Sequence, residues 1–160
     1  MVPLFQRPYV WRRDRQWEPL LDELFRLAEE LRAGRDARPH FLGAIVLEAV
    51  QQPTGQIDTR LVVDGQQRLT TLAILMEAFR DVCGSRGETR VEKALWALTR
   101  NEDPLNDEET HQFKVWPTNA DREHFQAVMQ ATSPDDLAAV IGRRPGADTG
   151  DEGRIVDAYG

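Results

Sequence analysis

The chain has 160 residues, enough for one domain with a core of its own, and 41% hydrophobic with 29% charged residues excludes a disordered polyelectrolyte. No apolar run reaches the length of a membrane span, and the start lacks the basic and apolar pattern of a secretory signal. A single cysteine, Cys83, excludes an internal disulfide, and no Cys/His cluster has zinc-ligand spacing, so the expected compartment is the cytoplasm. The net charge of −7 is uneven, with 15 basic against 14 acidic residues over 1–100 but 5 against 13 over 101–160, which confines any basic, nucleic-acid-binding face to the first hundred residues.

Phe5 to Trp11 is an apolar-aromatic segment that Pro8 keeps from being helical. Trp17, Leu20, Leu21, Leu24, Leu27, Ala28 and Leu31 then recur at steps of three and four between charged residues, which predicts an amphipathic helix ended by Gly34. The continuous run Phe41 to Leu47 predicts a buried strand, and Thr59 to Val63 a second one pairing antiparallel with it across the turn-rich stretch 52–56. A helix follows the string Asp64-Gly65-Gln66-Gln67-Arg68. Leu69, Leu72, Ala73, Met76 and Phe79 share its expected core face, Ile74, Leu75 and Ala78 widen it, and Gly84 and Gly87 bracket its end. Val91, Leu95, Trp96 and Leu98 mark another helix over 88–100, then a polar loop over 101–109 and a short strand from Gln112 to Trp116. Thr118 or Asn119 is expected to cap a helix carrying Phe125, Val128 and Met129, and Ser133 with Pro134 to begin one more. The Gly-, Pro- and charge-rich stretch 142–153 reads as a mobile loop. No βαβ repeat occurs, so the expected class is α+β with a small sheet.

The junction after the second predicted strand carries the chemistry. A helix N-terminus leaves free N–H groups and a partial positive charge, which favour phosphate. Gly65 allows a sharp turn and close approach of a ligand, and Arg68 can pair with phosphate oxygens bidentately. Asp64 can hold a Mg²⁺ that bridges phosphates or accept a proton from water. Gln66 or Gln67 can orient an attacking water, and Thr70 and Thr71 add hydroxyls one turn further. The same string also fits a plain turn in which Asp64 caps the helix and the other polar residues face solvent, since it lacks the Walker pattern.

The string Leu61-Val-Val-Asp-Gly-Gln-Gln-Arg-Leu-Thr-Thr-Leu72 closely resembles the signature of the GmrSD restriction endonuclease N-terminal domain family. Val2-Pro-Leu-Phe-Gln-Arg-Pro-Tyr-Val-Trp11, Trp17 with Leu20, Leu21 and Asp22, His40-Phe-Leu-Gly-Ala-Ile-Val-Leu47 and Lys114-Val-Trp-Pro-Thr-Asn-Ala-Asp-Arg122 resemble further family elements in the same order, so the likeness spans residues 2 to about 131. It implies a ParB/sulfiredoxin-like fold, a small mixed sheet packed with helices, over residues 1–141. It also implies that Asp64, Gln66, Gln67 and Arg68 form a site that binds and hydrolyses a nucleoside triphosphate, with Gln6 and Arg7 lining the same pocket. Full-length relatives cut DNA with modified bases or backbone through a separate HNH-type nuclease domain. The three histidines here, His40, His111 and His124, are scattered and make no such centre. Residues 142–160 are expected to be a mobile loop and the start of a helical region that is truncated, so the chain by itself is expected not to be a nuclease.

Other segments have two readings. Arg7, Tyr9, Trp11, Arg12, Arg13 and Arg15 interleave cations with aromatics, which suits base stacking and phosphate contact by Arg12 and Arg13, or rings packed inward with arginines in water. Lys114, Asn119, Asp121 and Arg122 fit either a site role or a cap with a surface ion pair. For the whole chain, the alternative to a triphosphatase module of a restriction, anti-phage system is a non-catalytic ParB-like DNA-binding or protein-docking module. A third possibility is a remnant that folds poorly alone.

Overall fold

After the extended backbone of Arg12, a π-helical turn, Arg13–Trp17, leads without a break into α1, Glu18–Arg32, which carries Pro19 in its first turn. The coordinates are a computed structural model that describes residues 7–51, 58–101, 112–145 and 154–160. β1, Val46–Ala49, and β2, Arg60–Asp64, form an antiparallel hairpin with Leu47 opposite Val62 and Ala49 opposite Arg60, and an irregularity between Val46 and Leu47. Then come α2, Gln66–Ser85; α3, Thr89–Thr99; a 3₁₀ turn, Asn119–Asp121; α4, Arg122–Gln130; α5, Pro134–Ile141; and α6, Arg154–Tyr159. Six helices and one two-stranded sheet among the described residues make this the expected α+β class. None of these helices is long and apolar enough to cross a membrane.

Local signals explain several boundaries. Ser133 Oγ accepts the Asp136 N–H at 3.1 Å, capping α5 as its sequence predicts. Thr118 acts differently: its hydroxyl donates to the Asp121 carboxylate at 2.9 Å instead of capping a backbone group. The strand expected from Gln112 to Trp116 is reduced to one antiparallel bridge, Phe113 with Arg100. The turn expected over 52–56, residues 102–109 of the polar loop and residues 146–153 of the later loop lie outside the described residues.

The core is made by α2, α4, α5 and α6 with Tyr9 and Phe113. Phe125, Ile74, Met129, Leu137, Ile155 and Val156 are fully buried, and Phe113 meets Phe125 edge-on at 6.0 Å between ring centres. Ile155, Val156 and Tyr159 of α6 share this core with the elements that precede residue 142.

Two packing expectations are corrected. The run Phe41 to Leu47 is not a buried strand: β1 begins at Val46, and Phe41 is 82% exposed. No layer among the described residues covers the hairpin, so a hydrophobic run predicted burial that the fold does not supply. On α2 the buried side is turned toward Thr70, Thr71, Ala73, Ile74 and Glu77, while Phe79 is 53% exposed.

That buried side tolerates polar residues because each finds a partner. Glu77 is 0% exposed and holds Arg100 bidentately, with Oε2 to Nη1 and Oε1 to Nη2 both at 2.8 Å. Arg80 joins at 2.7 Å. Arg100 also donates to the Met129 carbonyl and to Thr99 Oγ1, and lies over the Phe113 ring. Arg80 continues to Asp81, whose other oxygen accepts the Tyr159 hydroxyl. The network bolts α2 to α3, α4 and α6. Removing one member strands a buried charge, so Arg100→Ala is expected to cost about 3–5 kcal/mol in urea denaturation. Val140→Ala, 68% exposed on α5, should stay within about 0.5 kcal/mol.

Candidate functional site

β2 delivers Asp64 to the edge of the hairpin, and Gly65 then takes a left-handed conformation, φ +94°, before α2 starts. Asp64 Oδ1 accepts the Gly65 N–H at 2.8 Å. Among the described residues no side chain caps α2, and its first turn contains no acidic residue. The N–H groups and the positive dipole end at Gln66, Gln67 and Arg68 therefore remain available to an anion. These residues border a cleft of about 490 Å³ lined also by Arg7, Trp11, Val63, Asp64 and Gly65.

Two glycines let the segment before β1 cross this junction. At Gly65 an added Cβ would sit 3.1 Å from Ile45 Cγ1 and 3.3 Å from the Ala44 carbonyl oxygen. At Gly43, φ +96°, it would sit 2.8 Å from Arg68 Nη1 and 2.9 Å from Cζ. The Arg68 guanidinium thus rests against the bare backbone of Gly43 while Nη1 donates to the Ala44 carbonyl. Sequence reasoning passed over Gly43 because it sits inside a strand-like apolar run. A glycine inside such a run signals close approach of another group, and that was its available signal.

The second component is a strap, Pro8 to Val10, fixed from four directions. Gln67 uses both ends of its amide, accepting from Val10 N at 2.8 Å and donating to the Pro8 carbonyl at 3.2 Å. Asp121 accepts Tyr9 N at 2.8 Å, and Arg154 donates to the Val10 carbonyl at 3.1 Å. The Tyr9 hydroxyl receives Trp17 Nε1–H at 2.8 Å and lies 2.6 Å from Thr71 Oγ1. Thr71 has one hydroxyl proton and gives it to the Gln67 carbonyl at 2.8 Å, so Tyr9 is the donor in that pair. The strap positions Arg7 and Trp11 at the cleft.

The predicted site residues therefore separate into groups. Arg7, Asp64, Gly65, Gln66, Gln67 and Arg68 come together around one cleft. Thr70 and Thr71 are buried among core residues and do not line it. Gln6 lies outside the described residues. Arg12 and Arg13 are exposed and line a different cleft of about 360 Å³ with Trp11, Asp14, Trp17, Glu18, Arg154 and Asp157, where acidic residues offset them. Arg12 is 3.8 Å from Asp14, and Arg13 is 3.2 Å from Glu18. Asp121, one of four residues singled out near 114–122, serves the strap. Lys114 donates to the Ala97 carbonyl at 2.6 Å, and Arg122 lies over the Trp116 ring.

Residues 1–144 match the family described as GmrSD restriction endonuclease, N-terminal domain. The chain belongs to that family. The match contains the strap, the hairpin, the junction and α2 to α5, so the whole cleft is part of the GmrSD-type domain and the chain is a restriction-system module. Compared with curated proteins, the sequence has no significant match. Among the described residues no group of three or more His, Cys, Asp and Glu is placed to hold a metal ion. Asp64 is the one carboxylate among the described residues that borders the GmrSD-type cleft.

Burial pushes the Tyr9 phenol up to about 12, against the opposite pull of its hydrogen bonds with Thr71 and Trp17. Burial, with the Asp81 carboxylate adding to it, also raises Tyr159. Above pH 10 the unfolded chain releases tyrosine protons that the folded one retains, so stability is full below pH 10 and falls as pH rises toward 12. Tyr9 accounts for about 2–3 kcal/mol of that fall. Urea titrations across this range should show it, and Tyr9→Phe should flatten the slope.

Proposed function

We propose that the chain is the nucleoside-triphosphate-binding and hydrolysing module of a modification-dependent restriction system, with its triphosphate site in the cleft at the start of α2. A nuclease of the HNH type in another domain or chain, acting on modified DNA, is its effector. The observation that carries this reading is the uncapped start of a 20-residue helix opening on a cleft that also holds Arg7, Asp64 and Arg68.

Phosphate oxygens would accept the first-turn N–H groups of α2 and the guanidinium N–H groups of Arg68. Ala44 and Gly43 fix that guanidinium in place, so little side-chain freedom is lost on binding. Gln67 is committed to the strap, which makes Gln66 the amide suited to orient a water. Asp64 Oδ2, without a partner among the described residues, is suited to take that water's proton. A single carboxylate beside a phosphate site fits Mg²⁺, which takes one or two protein ligands and fills its shell with phosphate oxygens and water. When bound, the ion would neutralise charge developing on the phosphates. Thr71 acts at one remove, by holding Tyr9 and hence the strap.

Equilibrium titration with a fluorescent nucleoside triphosphate and Mg²⁺ tests the site. Arg68→Ala should weaken binding by about 10- to 100-fold, and Gly43→Ala should weaken it too, by pushing the guanidinium off the backbone. Undiminished binding by Arg68→Ala would remove the phosphate role. Gln66→Ala should slow hydrolysis about 100-fold without changing the melting point. Gln67→Ala should lower stability by about 1 kcal/mol through the loosened strap.

A further inference from the structure

α1 has no buried residue along its 15 positions, although its sequence is strongly amphipathic. Trp17, Leu21, Leu24, Ala28 and Leu31 recur at steps of four, three, four and three, the repeat of a coiled-coil seam. Trp17 stacks on Tyr9 and ties the helix base to the domain. The seam beyond it is left uncovered, with Leu31 66% exposed and, on its flank, Phe25 64% exposed. Arg26, Glu23 and Glu30 lie away from the seam, Arg26 bridging Glu23 at 2.5 Å and Glu30 at 2.6 Å.

We propose that this face is an interface between two copies of the chain, with the α1 helices packed antiparallel. The flank of the seam selects both partner and direction. With Leu21 and Ala28 in one seam position and Leu24 and Leu31 in the other, Glu18, Phe25 and Arg32 occupy one flanking column at intervals of seven. In an antiparallel pair that column faces itself. Glu18 of each copy meets Arg32 of the second copy at the two ends, and the two Phe25 rings meet at the two-fold axis. A parallel pair would set this column against the one containing Leu20, Leu27 and Gly34, which offers no charge to either Glu18 or Arg32. Glu18 also lies 3.2 Å from Arg13, a contact that leaves both side chains more than half exposed and Glu18 within reach of a partner.

Sedimentation of the 160-residue chain over a concentration series should show a monomer passing to a dimer. Phe25→Glu should remain monomeric throughout, with the melting point of the original chain at concentrations where that chain is a monomer, since α1 contributes nothing to the buried core. Glu18→Arg and Arg32→Glu should each weaken the dimer by about fivefold, and the double variant, which restores both pairs with reversed sign, should recover the original strength. A chain that is monomeric at every concentration, or a Phe25→Glu protein that still dimerises, would overturn the interface. A double variant as weak as either single one would overturn the antiparallel pairing.

Discussion

The amide of Gln67 is the constraint on which the site depends. One side chain in the first turn of α2 holds both the Pro8 carbonyl and the Val10 N–H, so the N-terminal strap and the helix start cannot move independently. Asp121 from the turn before α4 and Arg154 from α6 grip the same three residues, which couples the cleft to elements more than a hundred positions away in sequence. The Trp17–Tyr9–Thr71–Gln67 chain of hydrogen bonds continues this order into the core. Each bond is modest in water. Together they fix where Arg7 and Trp11 stand relative to the helix dipole.

The opposite wall is built by absence of side chains. Gly43 and Gly65 both have positive φ, and both lie where a methyl group would meet another segment. Because Gly43 is bare, Arg68 can lie against the backbone and bond to Ala44, its cation held next to the uncapped helix end. A flexible arginine in water would lose freedom on meeting phosphate; one already braced loses less. The buried Glu77–Arg100–Arg80–Asp81 network supports the other end of α2, so the helix presenting the site is anchored along its length.

Much of the local architecture could be read from the sequence. The strand, Asp-Gly turn and helix around residue 64 are encoded by neighbours, as are the amphipathic α1 and the Ser133 cap. Missing were facts that depend on distant partners. Glu77 reads as a surface residue until Arg100 is brought against it, and this moved the buried side of α2 away from Phe79. Phe41 to Leu47 has the composition of an interior strand, and composition cannot show that no layer among the described residues covers it. Gln66 and Gln67 were equivalent candidates for water orientation because chemistry alone cannot separate adjacent glutamines; only the strap does. Thr70 and Thr71 lie one turn beyond the junction, and at that spacing α2 turns them into the core.

The account's central claim is that the first turn of α2 receives phosphate. Backbone amide NMR of the labelled chain, titrated with a Mg²⁺-bound, non-hydrolysable nucleoside triphosphate, tests it most directly. The Gln66, Gln67 and Arg68 amides should shift strongly downfield and saturate together with the Arg68 side-chain signal. Saturable binding that leaves those three amides in place and shifts a different part of the chain would contradict it.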